Sequence, residues 1–244
     1  MTALAGQVAL ITGASRGIGR ALARACRSAG MRLVLSARGA TELEGLAREL
    51  DPEGAAALAV PGDVADREYC ERLIAAAEKA FGGIDVLINN AGLAIGGKIV
   101  DTRPEDVETM VRVNFLGAYY CTRFALPAMI ARGSGHVVLM DSVAGIKYSP
   151  GGSIYSATKF ALRALGEALR NEVQAHSIKV TGIYPGVTLT TYFDPANPQA
   201  IPAPMPLESM LTPEDVASAT LYVLGLPDRV SINTVVLRPT VQER

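Results

Sequence analysis

A tyrosine and a lysine four residues apart are the side chains of this sequence best placed to carry out a chemical reaction. Tyr155 and Lys159 belong to the run Tyr-Ser-Ala-Thr-Lys, and on a helix this spacing puts both side chains on one face. A phenol ionises near pH ~10, so proton transfer at neutral pH needs help, and a fixed cation nearby supplies part of it. The pair therefore predicts a tyrosine acid or base assisted by an ammonium group. The alternative is chance, because the same spacing occurs in many helices.

A hydroxyl group precedes this pair in the chain. Ser142 comes shortly after the apolar run of residues 137–140, and that run predicts a buried strand. A hydroxyl at the end of such a strand is a candidate partner for Tyr155 and Lys159. The alternative is a structural hydroxyl with a backbone partner.

A glycine-rich loop near the start of the chain has the context of a dinucleotide-binding turn. The predicted strand of residues 8–12 leads directly into Gly13-Ala-Ser-Arg-Gly-Ile-Gly19, and a predicted helix follows. Glycines allow positive φ angles and close approach to a ligand, while the helix presents free amide groups to phosphate. The candidate residues are Gly13, Ser15, Arg16, Gly17, Ile18 and Gly19. A tight turn without a ligand is the alternative.

The end of the second predicted strand bears on which nucleotide would bind. An NAD site usually has an acidic residue about 20 residues after the loop, where it binds the ribose 2′-hydroxyl. Here the strand ends Leu35-Ser36-Ala37-Arg38, without Asp or Glu. Arg38 and Arg16 can instead pair with a 2′-phosphate through charge-assisted hydrogen bonds. The sequence therefore predicts NADP as the cofactor, preferred over NAD.

Short apolar segments alternate with amphipathic segments along the chain, which is the pattern of βαβ units and a parallel sheet buried on both faces. Strands are predicted at residues 8–12, 32–36, 56–61, 86–89, 135–141, 179–184 and 234–238. Helices are predicted at about 17–29, 41–50, 66–81, 104–131, 153–175 and 213–224. Seven strands with helices between them predict an α/β fold, a doubly wound parallel Rossmann sheet, as a single domain over residues 1–244.

Composition and charge argue against several classes of function. The chain has 244 residues, 49% of them hydrophobic, and 23 basic against 24 acidic side chains give a net charge of -1. Without a basic field, neither nucleic acid nor an anionic membrane is expected as a partner. Three cysteines and two histidines at wide spacings indicate reduced thiols and no metal site. No segment approaches the ~20 apolar residues of a membrane span, and we expect a cytoplasmic protein.

Taken together, these segments resemble the short-chain dehydrogenase/reductase family over essentially the whole chain. The resemblance is carried by Thr12-Gly13-x-x-x-Gly17-x-Gly19, Asp63-Val64, Asn89-Asn90-Ala91-Gly92, Asn114, Ser142, Tyr155-x-x-x-Lys159 and Pro185-Gly186. Each motif alone has a structural explanation, such as turn residues for Asn89 and Asn90 or a helix cap for Asp63. The family resemblance implies an NADP(H)-dependent oxidoreductase that transfers hydride between the nicotinamide and a carbonyl or secondary alcohol.

The resemblance also implies a role for each catalytic candidate. Tyr155 would protonate the carbonyl oxygen during reduction, or accept the hydroxyl proton during oxidation. Ser142 would form a hydrogen bond with the same oxygen. Lys159 would contact the nicotinamide ribose and favour ionisation of the phenol, and Asn114 would hold a water that links the lysine to solvent.

Further cofactor contacts follow from the same resemblance. Asp63 would bind the adenine ring, with Val64 beside it. Asn90, Ala91 and Gly92 would line the cofactor at the carboxyl end of the fourth strand. The nicotinamide end would contact Pro185, Gly186, Val187 and Thr188 or Thr190.

Two features depart from the family pattern. Asp141 stands before Ser142, where the family often has another serine. A carboxylate so close either alters the local pKa balance or points away, because neighbours on a strand face opposite sides. The C-terminal run from Ile232 lacks the glycine-rich ending of many 3-oxoacyl-carrier-protein reductases. It is more similar to the branch that contains NADP-dependent 3-hydroxy acid and serine dehydrogenases.

Residues 185–211 predict a lid over the substrate, because a long irregular segment in a compact domain is usually functional or disordered. Apolar side chains of this segment and of the neighbouring pocket predict a medium-sized, partly apolar substrate for the carbonyl reductase that the resemblance implies. They are Leu189, Tyr192, Phe193, Ile201, Met205 and Met210 of the lid, with Leu93, Ile95 and Tyr148.

Two other functions are compatible with the sequence. A 3-oxoacyl-carrier-protein reductase would need a basic patch for its acidic carrier, for which the candidates are Arg103, Arg112, Arg123 and Arg132. The second of these functions is a non-catalytic NADPH-binding protein, although the intact set of Ser142, Tyr155 and Lys159 argues against it.

The predicted helix of residues 104–131 is rich in aromatic side chains. Phe115, Tyr119, Tyr120 and Phe124 predict either core packing or, with the helix that carries Tyr155, a subunit interface. The family resemblance favours a homotetramer or homodimer.

Overall fold

Seven strands form one parallel sheet in the structure, a computed structural model that describes residues 4–148, 151–193 and 203–242. In chain order they are β1 (Val8–Thr12), β2 (Arg32–Ala37), β3 (Ala57–Pro61), β4 (Val86–Asn89), β5 (Gly135–Met140), β6 (Ile178–Pro185) and β7 (Thr234–Leu237). Their order across the sheet is β3-β2-β1-β4-β5-β6-β7. The order reverses between β1 and β4, and ligands of such sheets bind at that point, beyond the carboxyl ends of the strands.

Helices cover both faces of the sheet. They are α1 (Gly17–Ser28), α2 (Ala40–Leu50), α3 (Arg67–Phe81), α4 (Pro104–Val111), α5 (Gly117–Arg132), α6 (Ser153–Val173) and α7 (Pro213–Leu224). The first, second and last of these pack on one face, and α3, α5 and α6 pack on the other. The predicted doubly wound α/β fold is therefore confirmed, and the strand bounds differ from the predicted ones by one residue at most at each end.

The strands form where the sequence is apolar on both sides of the chain. All five side chains of β1 are buried, and the first four alternate between two cores. Val8 and Leu10 pack with α3, α5 and α6, whereas Ala9 and Ile11 pack with α1, α2 and α7. Full burial of a valine, leucine or isoleucine side chain contributes about 1.5 to 3 kcal/mol, so the centre of the sheet is a rigid support for the residues at its edge.

The helix predicted over residues 104–131 is confirmed, and it contains one irregular turn that the sequence does not predict. A π-helical turn, Arg112–Leu116, joins α4 to α5. A π turn accommodates one extra residue without leaving the helix, and the apolar pattern of the sequence does not register that insertion. The turn carries Asn114, which is 1% exposed.

Membrane spans and metal clusters are not found in the parts of the chain that the structure describes. No described helix combines the length and the apolar character needed to cross a membrane. Nor do the described residues bring together three or more His, Cys, Asp or Glu side chains in a group that could hold a metal ion. Cys26, Cys70 and Cys121 are buried free thiols, and burial raises the pKa of Cys26 to about 12.

Candidate active site

The loop between β1 and α1 brings the backbone close to the space where a ligand would lie. Gly17 has a φ of +52°, a conformation that side-chain-bearing residues rarely adopt. A Cβ atom on Gly19 would overlap the carbonyl oxygen of Gly13. Because no side chain caps the start of α1, its first amide groups are free to bind an anion. The loop therefore fits a phosphate group.

Thr12 and Asn90 hold this loop against the end of β4. The Thr12 hydroxyl accepts hydrogen bonds from the backbone amides of Asn90 and Ala91, each at 3.0 Å. The Asn90 side-chain amide donates to the carbonyl oxygens of Thr12 at 2.9 Å and Gly13 at 3.2 Å. These bonds join the loop to the segment after β4 at the point where the strand order reverses.

A cleft of about 710 Å³ runs along this edge of the sheet, within the size range of small-molecule sites. Most of the predicted cofactor residues line it, namely Gly13, Ser15, Arg16, Gly17, Ile18, Gly19, Arg38, Asp63, Val64, Asn90, Ala91, Gly92 and Thr190. The remaining predicted cofactor residues are not among the lining residues, namely Tyr155, Lys159, Pro185, Gly186, Val187 and Thr188. The glycine cradle and the cleft together fit a dinucleotide.

Charges of both signs meet at the end of the cleft beside β2. Arg16, Arg38 and Glu42 are exposed and line the cleft together. Glu42 belongs to the first turn of α2, and its carboxylate folds over Gly39, where a Cβ atom would lie 2.5 Å from Glu42 Oε2. The sequence prediction misses Glu42, although an acid one helical turn after Arg38 is a usable signal.

Lys159 is buried between α6, the end of β5 and the cleft. It is 4% exposed, and its Nζ donates a hydrogen bond of 2.7 Å to the carbonyl oxygen of Met140. The same Nζ lies 5.8 Å from the centroid of the Tyr155 ring. A Cβ atom on Gly92 would lie 3.9 Å from it, so the ammonium group reaches the wall of the cleft. Tyr155 and Lys159 thus lie together beside the nucleotide-sized cleft.

Ser142 follows β5 and begins a short 3-10 turn, Val143–Gly145. Its Oγ accepts a hydrogen bond of 3.1 Å from the backbone amide of Ala144. A hydroxyl has one hydrogen and two lone pairs, so this bond fixes the oxygen and leaves the hydrogen for a different acceptor. The arrangement allows Ser142 to donate to a bound oxygen atom.

Asn114 ties the π turn to the cleft wall. Its Oδ1 accepts from the amide of Leu93 at 2.9 Å, and its Nδ2 donates to the Leu93 carbonyl at 2.8 Å and to Thr158 Oγ1 at 3.0 Å. The side chain therefore connects the segment after β4 with α6, the helix of Tyr155. The water-holding role implied for Asn114 stays a prediction.

The start of the predicted lid runs past the same cleft. Leu189 and Leu211 are joined by a bond of 2.7 Å from the Leu189 amide to the Leu211 carbonyl. Tyr192 lines the cleft, and its hydroxyl donates to the Ala94 carbonyl at 2.7 Å. Burial raises the pKa of Tyr192, and nearby Tyr155 adds to the effect. The predicted lid residue Ile201 lies outside the described residues.

A family model described as short chain dehydrogenase matches residues 7–200. The chain belongs to that family of oxidoreductases. The predicted family membership is therefore confirmed. An uncharacterised oxidoreductase of Staphylococcus aureus (strain MW2) is 35% identical over 239 residues, which cover 98% of this chain and 100% of the relative.

Two solved structures have a similar fold. An alcohol dehydrogenase from the archaeon Thermococcus sibiricus, complexed with 5-hydroxy-NADP, has a TM-score of 0.87 and 31% identity, with 98% of each chain covered. Serine dehydrogenase from Escherichia coli has a TM-score of 0.85 and 33% identity, with 98% of this chain and 100% of that chain covered.

One contact beside the site has no clear signal in the sequence, and one predicted pocket residue does not line the cleft. Gln242 returns from the C-terminal end, and its Oε1 accepts a hydrogen bond of 3.2 Å from the Val187 amide. Tyr148, which is predicted at the pocket, is 84% exposed. The Gln242 contact depends on where the chain beyond β7 runs, which does not follow from a local pattern.

Proposed function

We propose that this protein is an NADP(H)-dependent oxidoreductase that interconverts carbonyl compounds and secondary alcohols, with Tyr155 as the acid or base. The observation that carries the proposal is the position of Lys159. Its buried ammonium is held by Met140 at 2.7 Å, lies 5.8 Å from the Tyr155 ring centroid and borders the cleft at Gly92. Burying a cation costs free energy unless the cation is paired. The position of this ammonium beside a phenol and a cleft is explained if it favours ionisation of Tyr155 during proton transfer.

The chain's own residues would divide the work of the reaction. The bound nicotinamide supplies or accepts the hydride. Tyr155 would give its proton to the substrate oxygen during reduction and take it back during oxidation, while the Lys159 ammonium favours the phenolate electrostatically. The Ser142 hydroxyl would donate a hydrogen bond to the same oxygen and hold the substrate in line.

A preference for NADP over NAD is part of the proposal. Arg16 and Arg38 line the cleft, and β2 ends without an acid that could bind a ribose 2′-hydroxyl. Guanidinium groups pair well with phosphate. The complex of the related Thermococcus sibiricus enzyme with 5-hydroxy-NADP supports the same choice.

The substrate side of the proposed site is apolar. Leu93, Ile95 and Tyr192 line the cleft, and Tyr192 packs edge-on against Phe193 at a centroid distance of 5.3 Å. We infer that residues 185–211 form the lid of a single catalytic domain and that the substrate is partly apolar. A homodimer or homotetramer is also proposed, since Tyr119 on α5 and Phe160 on α6 are 42% and 39% exposed.

The test is turnover of NADPH with a panel of ketones, aldehydes and β-keto esters. We expect Tyr155→Phe to lower kcat at least about 100-fold, the size of a lost acid or base, while NADPH binding measured by fluorescence is unchanged. Tyr222→Phe is the matched control, because Tyr222 lies on α7 and is 59% exposed. Undiminished turnover in Tyr155→Phe would refute the assigned role, and tight NADPH binding without turnover on any substrate would favour a non-catalytic protein.

A further inference from the structure

Asp141 is a buried acid that the proposed proton transfer does not use. It is 5% exposed, and its backbone amide donates a hydrogen bond of 2.8 Å to the Ile183 carbonyl of β6. Its Oδ1 accepts a hydrogen bond of 2.9 Å from the Ser142 amide. Its Oδ2 is buried and has no hydrogen-bond partner among the residues that the structure describes. A buried polar atom without a partner is rare and calls for a reason.

The carboxyl group lies between the two backbone positions that hold the proposed catalytic side chains. The preceding residue, Met140, binds Lys159 through its carbonyl oxygen, and the following residue is Ser142. A Cβ atom on Gly145 would lie 2.5 Å from Asp141 Oδ1 and 3.1 Å from the Lys159 carbonyl oxygen. The carboxyl group therefore packs against the 3-10 turn close to α6. From this position, a change in its charge would affect both Ser142 and Lys159.

Charged and titratable groups face Asp141 from two elements. Lys159 and Arg163 of α6 favour the ionised carboxylate, as does the amide of Ser142. Tyr184 of β6 also faces it, and burial together with the charge of Asp141 raises the pKa of Tyr184 to about 12. Burial is the largest influence on the acid itself and raises the pKa of Asp141 to about 7, so both charge states are populated near neutral pH.

We propose that Asp141 is a positioning residue for the reaction: its carboxyl group fixes the backbone of Ser142 and, when ionised, opposes the action of the Lys159 ammonium on Tyr155. The neutral acid keeps the hydrogen bond from Ser142 and leaves the field of Lys159 directed at the phenol. The ionised acid strengthens its bond from the Ser142 amide but partly neutralises the ammonium. The proposal rests on the proposed function for its kinetic consequence, although the coupling between Asp141 and Ser142 is independent of turnover.

The experiment compares the wild type with Asp141→Asn, Asp141→Ala and a control, Asp51→Asn. The asparagine keeps an acceptor for the Ser142 amide and cannot ionise, whereas the alanine removes both. Asp51 is a suitable control because it is also buried, at 7% exposure, and accepts from the backbone amides of Ala56 and Ala57. Asp51 lies at the amino end of β3, whereas the cleft lies beyond the carboxyl ends of the strands.

The first measurement needs no substrate and no cofactor. In the ligand-free protein, we expect the backbone amide resonance of Ser142 to shift with pH with a midpoint near 7, and to lose that shift in Asp141→Asn but not in Asp51→Asn. A Ser142 resonance that does not titrate near this pH in the wild type, or that titrates equally in Asp141→Asn, would overturn the proposal.

The second measurement is the pH profile of kcat. We expect an ionisation near pH 7 in the wild type that is absent from Asp141→Asn, and a loss of kcat in Asp141→Ala of up to about 100-fold, the effect of a small misplacement, with KM for NADPH unchanged. If Tyr155→Phe is inactive while Asp141→Asn follows the wild-type profile at every pH, the positioning role fails and the proposed function stands. If Tyr155→Phe keeps full turnover, the proposed function fails, and the Ser142 titration alone decides the coupling.

Discussion

At the scale of single residues, Glu42 is expected to influence which nucleotide the cleft prefers. Its carboxylate shares the end of the cleft with Arg16 and Arg38, where it would oppose a 2′-phosphate. Because these side chains are exposed, solvent screens the effect. We therefore expect Glu42→Gln to lower KM for NADPH by only about two- to fivefold and to leave KM for NADH unchanged. Steady-state kinetics with both nucleotides would measure this change.

A control for this prediction is available on the same helix. Glu44 is also exposed on α2 but does not line the cleft, so Glu44→Gln is expected to change neither KM value. The opposite result, a weaker affinity for NADH in Glu42→Gln, would identify Glu42 as a ligand of the ribose hydroxyls. The proposed preference for NADP would then be wrong.

The sequence predicts the residues of the glycine loop well because their roles are local. Gly17 and Gly19 are required by backbone angle and close approach, and these requirements appear directly as residue type and spacing. The role of Thr12, in contrast, depends on residues that are distant in the sequence. Its hydroxyl accepts hydrogen bonds from the amides of residues 90 and 91, which are distant in the chain, and such a partner is known only once the strand order is known.

At the level of secondary-structure elements, the π turn between α4 and α5 determines where Asn114 points. We expect Asn114→Ala to lower the free energy of unfolding by about 1 to 3 kcal/mol, because the backbone groups of Leu93 and the Thr158 hydroxyl lose a buried partner. Chemical denaturation would measure the loss. Asn171→Ala, an exposed position on α6, is the control and should change stability by less than about 0.5 kcal/mol. Equal effects of the two substitutions would show that the Asn114 bonds do not stabilise the fold.

Helix and strand prediction succeeds here wherever a single signal governs an element. α7 is an example, since Thr212 caps it through a reciprocal bond with Asp215 and Pro213 is at its first turn, and these residue types are those that favour a helix start. The helix of residues 104–131 is also predicted correctly, but the π turn within it is not, because the apolar pattern continues through that turn. What distinguishes the turn is the set of bonds from Asn114 to Leu93 and Thr158, which are tertiary contacts.

At the scale of the whole molecule, we expect two buried titratable groups at opposite ends of β5 to make the free energy of unfolding depend on pH. His136, at its start, is 4% exposed, and its Nε2 lies 2.8 Å from Thr181 Oγ1. The Thr181 hydroxyl donates its hydrogen to the Ile232 carbonyl, so the neutral imidazole donates from Nε2. Burial and the charge of Lys179 lower the pKa of His136 to about 3. Asp141, just beyond the other end of the strand, has its pKa raised to about 7 by burial.

These two shifts act on stability in opposite directions. As pH falls from 6.5 towards 3, the unfolded chain protonates His136 and the folded chain does not, so stability is lost. As pH rises from 3.8 towards 7, the unfolded chain ionises Asp141 and the folded chain does not, so stability is again lost. Between about pH 4 and 6.5 the two slopes, each about 1.4 kcal/mol per pH unit, oppose one another.

Substitution of either residue should therefore leave the pH dependence of stability that the other residue produces. Relative to the wild type, we expect His136→Gln to gain about 1.4 kcal/mol for each pH unit of acidification in that window, and Asp141→Asn to gain a similar amount for each unit of alkalinisation. Any constant loss of packing in a variant changes the level of its stability curve and leaves the slope intact, so the slope is the informative quantity.

Denaturant unfolding of both variants and of the double variant at several pH values would measure this slope. The stability curve of the double variant should again run parallel to that of the wild type. Curves that run parallel for all four proteins would mean that neither buried group changes its protonation on unfolding, and Asp141 would then lack the charge states on which its proposed coupling to Lys159 depends.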